Sequence, residues 1–288
     1  MTTRFSTIRY EVLDETIARV TLNRPEKRNA QSKHMLYELN EAFDLACQSD
    51  SVKVIVLDAE GTDFSAGHDL TDASNRSDNM AEFDTIGTWG GFDLPGGEGM
   101  YAIEAELYLG MSLRWRDIPK PLIAAAQGKT IAGGLMLLWP CDIIIASDDA
   151  VFCDPVVAAG VNGVEYFGHP WELGARKAKE LLFTGDWLSA EQARELGMVN
   201  QVVPRADLLD TALAMARRIA TKPSFGLKLA KQSVNQAVDA QGFRSALQAA
   251  FSLQQLAHTH LRVLHGDLAA DPSALDAKGL VRPTTGDR

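Results

Sequence analysis

Cysteine, net positive charge and long apolar runs are all scarce in this chain. Its three cysteines, Cys47, Cys141 and Cys153, form no paired motif, and the last two sit in apolar surroundings. Buried free thiols in a reducing, cytoplasmic setting are the expectation. The formal net charge of −10 gives no broad basic stripe, which excludes a general nucleic-acid binder and disfavours an RNA-binding reading. No apolar run approaches the length of a membrane span, so no membrane crossing is expected. The opening MTTRFSTIRYE lacks the apolar centre of a signal peptide. His258, His260 and His265 suggest a metal, but a helix turns the first two about 200° apart and no cysteine or carboxylate completes a set. No metal site is expected.

What remains is ordinary globular material, 46% apolar and 23% charged over 288 residues. That is enough for one large domain carrying a helical appendage. The stretch from Pro119 to Pro155 organises the rest. Leu122–Ala126 reads as a buried strand, Gln127–Gly128–Lys129 as a turn, and Asp142–Ser147 as a second buried strand. Between them the Gly133–Gly134 pair opens an apolar helical turn. Paired glycines at a helix start let a backbone come close to a ligand and leave N–H groups without intrahelical partners. Such donors suit an anion or a developing oxyanion; equally, the pair can serve only tight packing on the sheet. A second apolar run, Val52–Leu57, leads into a loop ending FSAGHDL, where a glycine stands beside the backbone N–H of His68. Two glycine-associated donors from separate loops are what a two-donor oxyanion hole requires.

Elsewhere the pattern alternates strand and helix. Residues 8–13 and 16–22 read as a hairpin across Asp14–Glu15. Ser32 caps a helix through Met35, Leu36, Leu39, Phe43 and Ala46. Residues 71–110 are polar and Gly-rich, with Phe83, Trp89 and Phe92, and read as a lid or binding loop that turns helical from Met100 to Arg116. Glu172–Leu182 reads as a helix, Ser189–Gln192 as a capping box, and Met198–Val203 as a short strand. From Asp207 the chain reads as three helices, 207–220, 224–237 and 243–264, followed by a loosely packed tail from Gly266. The domain expectation is a core over 1–205 and a helical region over 206–288.

Four features together resemble the enoyl-CoA hydratase/isomerase (crotonase) superfamily. They are Asn23-Arg24-Pro25 with Asn29-Ala30, the loop Ser65-Ala66-Gly67-x-Asp69, Pro119-Lys120-Pro121 leading to Gly133-Gly134, and Cys141-Asp142. The stretch TGDWLSAEQARELGMVNQVVP is also similar. The resemblance implies a mixed α/β spiral of ββα units, with C-terminal helices that build a trimer, often paired into a hexamer. It also implies enzymes of fatty acid metabolism acting on acyl-CoA thioesters, with coenzyme A as part of the substrate and no covalently bound cofactor. By motif position the N–H groups of His68 and Gly133 become the donors to the thioester carbonyl, and the lid shapes the acyl pocket. Ala66 and Asp69 join the CoA-binding loop.

The hydratases of that superfamily use two glutamates to add water. Here Met136 and Val156 stand at those positions, and neither can transfer a proton. Glu165 lies about one residue from the place where some isomerases and dehalogenases carry a catalytic aspartate. Asp154 is the next candidate, or a cap for the turn at Pro155. His68 offers a side chain as well as an N–H. Glu104 and Glu106 are expected on a solvated helix face, and His169 at a turn. Arg24, Lys27 and Arg28 form a basic cluster suited to CoA phosphates, or ordinary surface charge. Trp89, Phe92, Trp115 and Trp139 suggest a bulky or cyclic acyl group. The expectation is an acyl-CoA enzyme that forms an enolate or oxyanion, named a hydratase or isomerase. The alternatives are an isomerase or hydrolase with a different acid/base, and a non-catalytic acyl-CoA binder.

Overall fold

The first hairpin turns where Asp14 and Glu15 both take positive φ. It pairs β1 (Ile8–Leu13) with β2 (Ile17–Leu22) in antiparallel register. The computed structural model describes residues 5–70 and 77–266. Of the expectations above, those that fall on the first four residues, on residues 71–76 of the lid and on the tail beyond Gly266 lie outside them. Ser32 Oγ accepts from the Met35 N–H and opens α1 (Lys33–Gln48), whose Met35, Leu36, Leu39, Phe43 and Ala46 are all buried. Next comes β3 (Val54–Ala59), two residues later than the apolar run implies. The former lid region ends in α2 (Gly97–Glu104), which runs through a π-helical turn at Ala105–Gly110 into α3 (Met111–Arg116).

After these come β4 (Leu122–Ala126), β5 (Lys129–Ile131), α4 (Gly133–Leu138), β6 (Ile143–Ser147) and β7 (Val151–Cys153). The expected helix over Glu172–Leu182 is two, α5 (His169–Leu173) and α6 (Ala175–Thr184), because Gly174 at φ 74° breaks it. Then β8 (Leu188–Ser189) leads into α7 (Ala190–Leu196), opened by a complete Ser189–Gln192 capping box, and β9 (Gln201–Val203) follows. Three helices close the described chain, α8 (Leu208–Ala220), α9 (Ser224–Ala240) and α10 (Phe243–His265).

The principal sheet has the order β1-β2-β3-β4-β6-β9 and is parallel from β2 onward. Its inner strands are continuous apolar runs because both faces are covered. Ile55, Leu57, Ala124 and Ala126 face the large core shared with α1, α3 and α4. Val54, Val56, Ile123 and Ala125 face the other way, onto Leu208, Ala212, Leu213 and Ala216 of α8. A second, three-stranded sheet, β5-β7-β8, went unread because its strands are only two or three residues long. Both sheets deliver their strand ends and loops to one region. α10 closes over that region with Phe251, Gln254 and His258 buried, whereas α9 buries none of its residues. No helix among the described residues is long and apolar enough to cross a membrane.

Candidate active site

Two loops and one helix start are stitched together at the site. Arg28 and Asn29 both adopt left-handed backbone, at φ 50° and 51°, and Asn29 is fully buried. Its side chain accepts from the Arg24 N–H and donates to the carbonyls of Glu60 and Asp63, tying the first loop to the second. The Gln31 N–H then donates to Gly67 O at 2.7 Å, and the Asp69 N–H to Gln31 O at 2.9 Å. On the other side Ser65 accepts from the Ile131 N–H at 3.0 Å. Residues 65–69 are therefore clamped between residue 31 and β5, and the Gln31 amide reaches past them to donate to Gly133 O at 2.6 Å.

Ala132, at φ 45° and ψ −115°, occupies backbone that a residue with a Cβ rarely adopts, and it aims the next peptide into the site. At Gly133 a Cβ would meet His68 Cδ2 at 2.4 Å and the His68 backbone N at 3.2 Å. That approach is possible only for glycine. The His68 and Gly133 backbone N–H groups thus stand side by side, and neither donates to a backbone acceptor among the described residues.

The His68 ring stacks on Tyr108 at 3.9 Å between centroids, 11° from parallel. Burial pushes its pKa down to about 4, only partly offset by the charge of Asp154. The imidazole is therefore neutral across the physiological range. Its Nε2 lies 3.8 Å from Glu165 Oε2, and neither atom has a hydrogen-bond partner among the described residues. Glu165 is 4% exposed. Burial raises its pKa to about 7, against the pull of its own backbone N–H, His258 and a hydrogen bond from Gln254. A buried carboxyl that titrates near neutrality, with one oxygen unengaged, is suited to taking and returning a proton.

Asp154 holds this carboxyl in place. It is fully buried and accepts from His169 Nε2 at 2.8 Å and from the Val164 N–H at 3.1 Å. Its carboxylate is thus committed to the loop that carries Glu165, and His169 is its buried partner. Met136, on α4, is 1% exposed, and Val156 begins the short turn after Pro155.

Among the residues assigned to CoA, Arg24 donates to Ala30 O at 2.6 Å and to Asp69 Oδ2 at 2.8 Å, so both clamp the loop. The Ala66 N–H donates to Arg28 O at 2.9 Å. The side chains of Lys27 and Arg28 stand on the surface, Arg28 at 3.9 Å from Asp63. Of the four aromatics linked to the acyl group, Trp115 packs edge-on against Phe43 in the core, and Trp139 packs against His169. Trp89 is 64% exposed and leans on Tyr101.

The solvated face expected for Glu104 and Glu106 is a correction, for both are buried, at 7% and 3% exposure. Glu106 accepts from the Ile86 and Gly87 N–H groups at 2.6 and 2.7 Å and from Tyr37 Oη at 3.0 Å, pinning the chain before α2. Glu104 accepts from Gln255 Nε2 at 2.5 Å, and its Oε1 is 3.6 Å from His258 Nε2. Gln31, Tyr108, Gln254 and Gln255 also went unnoticed. No local motif marks them, since each acts across the fold.

The sequence model of the enoyl-CoA hydratase/isomerase family matches residues 13–89 and 91–265. A Mycobacterium tuberculosis protein, whose name puts it provisionally among the enoyl-CoA hydratases, is 46% identical over 89% of this chain and 82% of its own. The Escherichia coli protein named 1,2-epoxyphenylacetyl-CoA isomerase is 34% identical, over 78% of this chain and 80% of that one. A solved structure of a probable enoyl-CoA hydratase from Mycobacterium thermoresistibile is 47% identical with a TM-score of 0.83, covering 92% of this chain and 99% of that one.

Proposed function

The chain belongs to the enoyl-CoA hydratase/isomerase family and has its crotonase fold, and from that premise we propose that it moves a proton within an acyl-CoA thioester. The N–H groups of His68 and Gly133 take the thioester oxygen, and Glu165 is the base. For a β,γ-enoyl thioester, Glu165 removes a proton from the α-carbon and the electron pair moves onto the carbonyl oxygen. The two donors hold the resulting enolate. Protonation at the γ-carbon then gives the α,β-enoyl product, with no net change in atoms or charge. Each such donor is worth about 3 kcal/mol at the transition state. The His68 ring is neutral, so stabilisation of the oxyanion falls to the two N–H groups.

The observation that carries this reading is a buried carboxyl with an unengaged oxygen beside the residue that supplies one of the two adjacent N–H groups, His68 Nε2 lying 3.8 Å from Glu165 Oε2. Hydration needs a water held between an acid and a base. At the two places where hydratases carry those groups, Met136 and Val156 offer none. The Escherichia coli relative named as an isomerase supports the same direction. Arg24 and Asp69 shape the CoA-binding loop, Ala66 borders it, and Lys27 and Arg28 stand on the surface within reach of phosphate oxygens. The helices after Asp207 pair chains into a trimer or hexamer in the cytoplasm.

The test compares β,γ-enoyl-CoA isomerisation with crotonyl-CoA hydration in wild type and Glu165→Gln. Wild type should isomerise and hydrate only very slowly, and Glu165→Gln should lose about 10²–10⁴-fold in isomerisation. Brisk hydration by wild type, or an unchanged rate in the variant, refutes the reading.

A further inference from the structure

Gln31 is buried, one residue before the N-cap Ser32 and two after the left-handed Asn29. It forms a parallel bridge with His68. In that bridge its N–H donates to Gly67 O and its C=O accepts from the Asp69 N–H, so it grips the residues on either side of His68. A residue bracketed in this way sends its own backbone groups to the opposite side. The His68 N–H is therefore turned away from Gln31 and left for the space beside Gly133. At Gly67 a Cβ would meet Gly133 N at 3.2 Å, so the loop lies flush on the start of α4.

The side chain of the same residue reaches the other donor. Gln31 Nε2 donates to Gly133 O at 2.6 Å, while Oε1 has no hydrogen-bond partner among the described residues. One bond therefore fixes the amide, and the peptide it meets is one that needs fixing. Ala132 stands at φ 45° and ψ −115°, and such backbone persists only where its surroundings over-determine it. The Ala132 N–H donates to Cys153 O at 2.8 Å on one side, and Gln31 takes Gly133 O on the other. The side chain required here is a long, neutral donor. Asparagine is one methylene shorter, a carboxylate would face the Gly133 oxygen with a second acceptor, and lysine or arginine would bury a cation.

We propose that Gln31 is a positioning residue that sets the separation and aim of the two donors, its backbone fixing the His68 N–H and its amide fixing the Gly133 N–H. This rests on the reading of those two groups as the donors to the thioester oxygen. Gln31 touches no reacting atom in this role and acts through the two peptides it holds. Because the bridge to His68 is made by backbone, replacing the side chain releases Gly133 alone. A slightly displaced N–H still meets a ground-state carbonyl, but it loses most against the fuller charge of the enolate oxygen. The Gln31 amide therefore acts on kcat more than on substrate binding.

Two variants test this. Gln31→Met keeps the length of the side chain and removes its donor, and Gln31→Asn keeps the amide and shortens its reach. With saturating protein, dimethylaminocinnamoyl-CoA should shift to longer wavelength in wild type, and by only about half as much in either variant. The probe needs no turnover, so it reads the donors independently of Glu165. In β,γ-enoyl-CoA isomerisation each variant should lose about 10–10²-fold in kcat, with KM within about three-fold of wild type. Thermal unfolding should find both variants folded at the assay temperature. A full spectral shift in the variants overturns the proposal, as does a loss confined to KM. Unfolding of both variants overturns it too, since Gln31 would then hold the core rather than the donors. A wild-type protein that leaves the probe unshifted removes the donor reading itself, and this proposal with it. A wild-type shift that the variants keep in full removes the role of Gln31 alone.

Discussion

His68 and Glu165 face each other with opposite perturbations from one cause. Removing water disfavours the imidazolium of His68 and the carboxylate of Glu165, so neither carries a charge at mildly acidic pH. The consequences for stability run in opposite directions. Glu165 titrates at 4.5 when unfolded and about 7 when folded, so its contribution is full below pH 4.5 and is lost as pH rises through 7. His68 moves from 6.5 to about 4, so its contribution is full above pH 6.5 and is lost as pH falls through 4. A shift of this size in Glu165 corresponds to about 3 kcal/mol. Glu165→Gln should therefore stabilise the protein more at pH 8 than at pH 5, by that order, in urea unfolding at both values. A gain independent of pH would contradict the burial assigned to Glu165. Turnover in wild type should rise through pH 7 as Glu165 ionises.

Helices α9 and α10 show how one element can serve two surfaces. α10 buries Phe243, Leu247, Phe251, Gln254 and His258 inward. Along its other side Leu253, Leu256, Val263 and Leu264 are 59–80% exposed, and α9 adds Phe225 at 71% and Val234 at 63%. Apolar side chains grouped in this way call for a covering surface, which the proposed trimer or hexamer assigns to further copies of this chain. Light scattering should give a multiple of 31.3 kDa at micromolar protein, and Phe225→Glu with Leu256→Glu should shift it to the single chain. A wild-type monomer would contradict this assignment. The lengths of these helices were legible to within three residues, because their apolar spacing and the punctuation at Pro223 and Gly242 are local signals. The two-sided use of α10 was not, for its inward polar residues answer to Glu104 and Glu165, far away in sequence. The buried face of Glu104 and Glu106 was hidden for the same reason, since two carboxylates on a helix read as solvated until their partners are known.

At the scale of the whole chain, the sheet was the most legible part. The apolar runs read at Val52–Leu57, Leu122–Ala126 and Asp142–Ser147 fall on β3, β4 and β6, which are covered on both faces, and such strands announce themselves. The close approach of Gly133 to His68 was also legible from sequence, because a Cβ at that glycine would meet the His68 ring at 2.4 Å. What could not be read is the assembly of the site from distant pieces. Gln31 supports Gly133 from 102 residues away, and Gln255 meets Glu104 across 151. Only the closed fold brings these groups to one place. The central claim is that the two N–H groups polarise a thioester carbonyl, and a chromophoric thioester such as dimethylaminocinnamoyl-CoA tests it without turnover. Bound to the protein, its absorbance should shift to longer wavelength as charge is drawn onto the carbonyl oxygen. A bound probe that keeps the spectrum of the free thioester would contradict the account.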